Sequence, residues 1–332
     1  MGDKKPKPVA AAKKAGKTNT LKDSLVECKV ELESGEWISP ESCKTFYING
    51  EPKFPEIIYE IKTNLPGPYE WSWDITWTGK ACPQAEGKKR FTPSRGALPP
   101  FKDNGSFKSD SKKWTANLND KIIGGLLTVK VKAGSTTFIR KTLIRGKNPT
   151  REAVQKYLDA NWKDKHDLAL IKKIFQQETK YKQFYSDEMP LVSFDKGYGL
   201  GQLTNPAPTY EEAWCWKKHV KAVMSTIETF HRNRAKTYLD THKNYTDDML
   251  DLETLASYNG LAKKQRYHNW DSTSNKWIVN SNVICDPDQS NKGWLITEKA
   301  NANQTIDQLS DNSKSKPFYT GRCYAEHIKN NQ

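Results

Sequence analysis

The 332-residue sequence predicts a multidomain chain, with an all-β unit first and a mainly α-helical unit after it. Three observations predict this. The stretch "WSWDITW" alternates strictly, with Trp71, Trp73, Ile75 and Trp77 on one face and Ser72, Asp74 and Thr76 on the other. That is the period of a half-buried strand. The stretch "PTYEEAWCWKKHVKAVMSTIETFHRNRAKTYLD" instead repeats its apolar residues every three to four positions, the period of a helix. The change of period falls at "RGKNPTREAV".

Residues 1–21 are rich in Lys and Ala and lack an apolar signal core, so they read as a flexible basic arm. Residues 22–146 read as short strands separated by turn clusters such as "NLPGP" and "SRGALPPFKDNGS". "LLTVKVKAGSTTFIRKTLI" reads as a hairpin, with Leu127, Val129 and Val131 inward and Gly134 in the turn. Strands of this number and spacing predict a β-sandwich, immunoglobulin-like in the loose sense. The Trp-rich strand is expected to be core rather than a sugar-stacking platform.

Residues 147–332 form the second unit. Thr150 is the expected N-cap of a first helix that runs to Trp162. A second helix is expected from Leu168 to Tyr181. A long third follows, opened by a Thr209/Glu212 capping box, with Trp216, Val220, Val223, Ile227 and Phe230 as its stripe. A fourth turns Leu252, Leu255 and Ala256 inward and ends at Gly260. Residues 265–316 read as polar and irregular, and "YAEHIKN" as a short final helix.

One position breaks the second helix's pattern. Leu168, Ile171 and Phe175 make a buried stripe, and the next residue on it is Glu178. A carboxylate on an apolar face loses hydration, which disfavours its charged form and lets it hold a proton near neutral pH. Pairing with Lys172, Lys173 or Lys182 at the helix end is the ordinary alternative. Two later segments bear on the choice: the Gly-rich "GYGLGQLTNP", which lacks both phosphate-binding patterns, and "LASYNG" at the end of the fourth helix.

In this order the segments resemble lytic transglycosylases of the soluble-lytic-transglycosylase and goose-type-lysozyme-like group. That group carries a catalytic Glu followed by Ser, then G-L-M-Q, then A-Y-N-x-G, then a Tyr near the last helix. The counterparts are Glu178-Thr179, Gly199-Leu200-Gly201-Gln202, Ala256-Ser257-Tyr258-Asn259-Gly260 and Tyr324. The likeness covers about residues 150–330, and it is specific as an ordered set. Thr179 keeps the hydroxyl of the usual Ser, Gly201 replaces Met and is expected to open space in the cleft floor, and Ser257 is an insertion. The tail keeps Arg322 and Tyr324 but not E-T-R-x-Y-V.

The resemblance implies a lysozyme-like second unit that cleaves peptidoglycan between N-acetylmuramic acid and N-acetylglucosamine, with Glu178 as the acid. Thr179, Gly199, Gln202, Tyr258, Asn259 and Tyr324 would then line the substrate site. No metal or cofactor is implied. A muramidase using a second carboxylate is the rival, with Asp195 or Glu188 as that group. A wall-binding protein without catalysis is another.

The net charge of +14 and a pI near 9.3 suit an anionic wall polymer. No zinc-finger spacing, RNA-binding aromatic signature or basic helix pair singles out nucleic acid. No run reaches about 18 apolar residues, so no membrane span is expected. The cysteines are Cys28, Cys43, Cys82, Cys215, Cys285 and Cys323, without a CxxC pair. Their even number suits an oxidising compartment such as the periplasm. If all six pair, at least one bridge must join the two units, because three lie in each. With no Sec leader visible, delivery by a secretion machine such as type VI, or by a phage particle, is expected. The sandwich is then a docking or targeting module, and an immunity protein is a further expected partner.

Overall fold

The computed structural model describes residues 28, 33–84, 88–162, 167–261, 265–289, 291–311 and 315–330; the basic arm lies outside them. Its first part holds eight strands: β1 (Trp37–Ser39), β2 (Thr45–Ile48), β3 (Ile58–Ile61), β4 (Tyr69–Trp77), β5 (Phe101–Ser109), β6 (Lys113–Thr115), β7 (Gly125–Ala133) and β8 (Thr136–Gly146). They form a five-stranded sheet in the order β2-β8-β7-β4-β5 and a three-stranded sheet in the order β1-β3-β6. All pairs are antiparallel except β2 with β8.

The strand pattern explains this packing. Tyr69, Trp71, Trp73, Ile75 and Trp77 of β4 are all buried, so the tryptophans are core and not a sugar platform. They meet Tyr59 and Ile61 of β3, and Tyr59 shares a 2.5 Å hydrogen bond with Thr142 of β8. Gly105 lies opposite Trp73, where a Cβ would come within 2.7 Å of the indole. Leu127, Val129 and Val131 are fully buried as the hairpin pattern requires, and Gly134 takes φ +59° in its turn.

The second part begins with α1 (Arg151–Trp162) and α2 (Asp167–Thr179). Thr150 caps α1, accepting from the Ala153 N–H at 3.1 Å. Next come α3 (Tyr210–Trp214), α4 (Trp216–Thr226), a π turn (Ile227–His231), α5 (Arg232–Leu239), α6 (Asp247–Tyr258), α7 (Ile306–Asp311) and α8 (Gly321–Asn330). The Thr209/Glu212 capping box is present.

Several expectations are corrected. The second helix stops at Thr179, not Tyr181, because Lys180 and Tyr181 take left-handed φ values of 53° and 65°. The long third helix breaks at Cys215, whose backbone is extended (φ −105°, ψ 102°). Its stripe then loses Phe230, which is 51% exposed; the π turn buries His231 in its place. Within residues 265–316, expected to be irregular, the chain forms β9 (His268–Asp271), β10 (Lys276–Val279), β11 (Val283–Cys285) and β12 (Lys292–Leu295). β9 and β10 make a hairpin, and β11, β12 and β13 (Phe318–Tyr319) a small sheet. Buried Trp277 and Trp294 anchor them. The chain is thus a multidomain mixed α/β protein, and its second part carries strands as well as helices. Cys28 pairs with Cys43 and Cys285 with Cys323, each within its own part, while Cys82 and Cys215 stay free. Since only four of the six pair, the condition that would have forced a bridge between the parts is not met.

The two parts nevertheless share a core. Phe184, Val192, Tyr198, Ala213 and Trp214 join the buried cluster of the first part's strands. Trp214 packs edge-on to Trp77 at 5.5 Å, and Gly124 leaves room for its ring. Asn148 Oδ1 accepts from the Gln183 and Phe184 N–H groups at 2.8 and 2.7 Å, pinning the chain where it leaves α2. A second cluster, holding Ile171, Phe175, Leu200, Val223, Ala256 and Tyr324, is the core of the helical part. We expect Trp214→Ala to cost about 3–5 kcal/mol. Near-UV dichroism of the tryptophans and far-UV dichroism of the helices should then lose signal together on urea unfolding. Two separated transitions in the wild type would show that the core is not shared.

Candidate active site

Glu178 occupies the last turn of α2, below Ile174 and Phe175, both fully buried. It is itself half-buried, and its Oε1 accepts a 2.7 Å hydrogen bond from the Tyr324 hydroxyl on α8. No ion pair to it forms among the described residues; Lys172 goes to Asp159 at 2.6 Å. Burial pushes the Glu178 carboxyl up to about 7; the Tyr324 hydrogen bond opposes this and the negative charge of Asp195 adds to it. A carboxyl in that state holds a proton near neutral pH.

The Gly-rich turn beside it, Gly199 to Gln202, is irregular backbone with its groups bonded one by one. The Gly199 N–H donates to Leu191 O at 2.9 Å, and Gly199 O accepts from Gln202 Nε2 at 2.8 Å. The Leu200 N–H donates to Gln183 Oε1 at 3.1 Å, and Leu200 O accepts from Thr179 Oγ1 at 2.9 Å. The Gly201 N–H donates to His219 Nε2 at 3.2 Å, and Gly201 O accepts from the Tyr258 hydroxyl. Gly199 has φ +60°, and a Cβ there would stand 2.6 Å from Gln183 Oε1.

Most of the residues singled out in the sequence therefore meet here, some in other roles than expected. Thr179 is buried, and its hydroxyl both donates to the turn and accepts from the Lys182 N–H at 3.2 Å. It fastens the turn to α2. Gln202 is half-buried at φ 53°, its amide folded back on the turn. Tyr258, at the end of α6, bridges to the turn, and burial together with the Glu178 charge raises its hydroxyl well above the usual range. Asn259 is the C-cap of α6, with its N–H donating to Leu255 O at 3.3 Å. Tyr324 is the group in contact with Glu178. Asp195, half-buried, takes a 2.5 Å hydrogen bond from Ser193 and is the second carboxylate that acts electrostatically on Glu178. Glu188 is not brought there; it pairs with Lys147. Gly201 opens no space, contrary to expectation. A Cβ at Gly201 would stand 2.6 Å from Val223 and 3.0 Å from the Tyr258 hydroxyl, so these side chains fill the site of the missing one.

Three residues were missed. Gln183 is fully buried and spans from the turn to Ala213 O at 2.8 Å. His219 is fully buried, and burial lowers its pKa to about 4, so the ring is neutral. Since Nε2 accepts from Gly201, Nδ1 carries the proton and donates to Glu212 O at 3.2 Å. His231 shares a 3.0 Å hydrogen bond with Ser257 and packs on the Tyr258 ring at 5.1 Å. His219 carried a readable signal: it lies on the apolar stripe between Trp216 and Val223, the same anomaly as Glu178. As for metals, the one close group of ligand-type side chains among the described residues is Cys28, Glu33 and Cys43, whose sulfurs are tied in a disulfide and are not thiolate ligands.

The raised Glu178 makes a stability prediction. A Glu in the unfolded chain titrates near about 4.3. The folded protein binds that proton more tightly, so the contribution to stability is full below the unfolded value and is lost as pH rises through about 7. Glu178→Gln keeps the shape and does not ionise. Its stability minus that of the wild type should grow by roughly 1–3 kcal/mol between pH 4 and 8, measured by urea unfolding. A difference that stays flat with pH would count against a buried, protonated Glu178.

Searches of protein-family models, of curated proteins and of solved structures each returned no match to this chain.

Proposed function

We propose that the chain is a peptidoglycan-cleaving lytic transglycosylase in which Glu178 is the single acid and base. The observation that carries this reading is the Glu178–Tyr324 contact beside the Gly199–Gln202 turn and Tyr258, with burial holding the carboxyl up to about 7. Glu178 gives its proton to the glycosidic oxygen between N-acetylmuramic acid and N-acetylglucosamine. The C1–O bond breaks and the muramyl ring takes on oxocarbenium character. The carboxylate, steadied by the Tyr324 hydroxyl, then takes the proton of the muramyl C6 hydroxyl. Its oxygen bonds to C1, which closes a 1,6-anhydro ring and restores the protonated acid. No water enters the product. On this reading Gln202 and Asn259 would meet substrate polar groups while Tyr258 holds the turn, and the net charge of +14 suits a polymer bearing peptide carboxylates.

On this reading residues 147–332 are a lysozyme-like catalytic domain. Residues 22–146 are an Ig-like sandwich that docks or targets it. Two disulfides fit an oxidising compartment, and no helix among the described residues is long and apolar enough to cross a membrane. The bacterial periplasm or cell wall is the proposed place of action. A type VI-like secretion machine or a phage particle is the proposed carrier, and an immunity protein a proposed partner. Asp195 favours a second reading, a muramidase whose second carboxylate activates water.

Mass spectrometry of products from purified peptidoglycan separates the readings. Transfer leaves a terminal anhydro sugar, hydrolysis a reducing end. Glu178→Gln should lower cleavage at least about a hundredfold; full activity in that variant would end the assignment. The alkaline limb of the pH profile should move in opposite directions in two further variants. Tyr324→Phe removes a donor to the carboxylate and should raise the limb by about one pH unit. Asp195→Asn removes a like charge and should lower it. Abolished activity in Asp195→Asn, with a reducing end in the wild-type product, would select the muramidase.

A further inference from the structure

Tyr324 is positioned by more than its own packing. Cys323, the residue before it on α8, is bonded to Cys285 of β11. Gly293 of β12 pairs in register with Cys285, and a Cβ there would stand 2.7 Å from Cys323 Sγ, so the neighbouring strand is shaped around the bridge. Cys323 is buried and Cys285 half-buried, so Cys285 is the less enclosed partner of the bridge. The Arg322 guanidinium lies 3.6 Å from the Cys285 sulfur. Little apolar surface holds the small sheet to α8 otherwise: Val283 and Trp294 are its buried apolar side chains. The bridge therefore ties a lightly packed sheet to the start of the helix that touches Glu178.

Resting on the reading of Glu178 as the acid, we infer that Cys285–Cys323 is a thiol-exchange site that gates the active site, holding Tyr324 on Glu178 when oxidised and releasing it when reduced. The chemistry needs only a dithiol. One thiolate attacks the Cys285 sulfur, the S–S bond breaks, and Cys323 leaves with the electron pair and takes a proton. The reductant's second thiolate attacks the mixed disulfide. The products are two cysteine thiols and one cyclic disulfide. A disulfide oxidant reverses the exchange, being itself reduced to two thiols as Cys285–Cys323 re-forms. A chain made in a reducing cytoplasm is thus switched off, and it becomes active where the wall polymer lies.

The test uses the full chain carrying Cys28→Ser and Cys43→Ser, so that dithiothreitol reports on Cys285–Cys323 alone. Thiol labelling and mass spectrometry establish complete reduction. Peptidoglycan cleavage should fall roughly tenfold or more on reduction and return with oxidised glutathione. The pH-dependent stability gain of Glu178→Gln should shrink at the same time, because the pocket around the carboxyl loosens. If cleavage and that gain both persist after complete reduction, the inference is overturned. Global unfolding on reduction, seen as lost far-UV dichroism, also overturns it, since a gate must be local. If neither redox state cleaves peptidoglycan, the enzymatic reading falls. The Glu178→Gln stability gain then decides alone whether the bridge controls the pocket, and its persistence after reduction refutes that control.

Discussion

Four residues of irregular backbone, Gly199 to Gln202, hold the helices of the site in register. A buried loop must find partners for its N–H and C=O groups or lose stability. Here the partners come from all sides: Thr179 from α2, Gln183 from the segment after it, His219 from α4 and Tyr258 from α6. The turn is thus the joint at which these elements meet. A shift in any one of them breaks a hydrogen bond in a place water does not readily reach. Glycine is needed at both small positions for different reasons, left-handed backbone at Gly199 and contact with Val223 and Tyr258 at Gly201.

That rigidity supports a group the fold would otherwise reject. Glu178 shares its helix with Ile171, Ile174 and Phe175, all fully buried, and an ionised carboxylate is disfavoured in such company. The protein supplies one hydroxyl, from Tyr324, and places Asp195 near enough to discourage ionisation further. The carboxyl stays poised between its two forms because burial and like charge oppose the tyrosine. His219 shows the same logic with the opposite sign. It is kept neutral by burial, and its neutrality lets it accept the Gly201 N–H.

How much of this was readable in the sequence depends on whether the signal was local. The alternation of β4, the Gly134 turn, the Thr150 cap and the Thr209/Glu212 capping box depend on near neighbours, and all were legible. The break at Cys215 was not, because Trp214 and Trp216 each continue a helical pattern yet belong to different cores. The π turn takes Phe230 off the stripe and seats His231 against Ser257 and Tyr258 of α6, a contact that no spacing encodes. The strands β9 to β12 hid in polar sequence, since each buries a single large side chain, His268, Trp277, Val283 and Trp294 in turn, rather than an alternating run. Within the site, Glu178 was legible as an apolar stripe gone wrong. Thr179 and Gly201 were assigned to substrate and to space, and the structure gives one to the backbone and fills the other. Choosing Asp195 over Glu188 required knowing that Lys147 takes the latter.

The seam between the two parts has its own consequence. The segment from Gln183 to Leu203 hangs on the connection between β4 and β5 by backbone bonds, such as the Cys82 N–H to Val192 O at 2.7 Å, and by the Arg90–Asp187 pair. The glycine joint is the far end of that same segment. Anyone wishing to mount the helical half on a foreign carrier, or to trim the chain to that half alone, must take the strands along. A cut at residue 147 would bare the face of the Gln183–Leu203 segment that Cys82 and Arg90 now cover, and leave the keystone without an abutment.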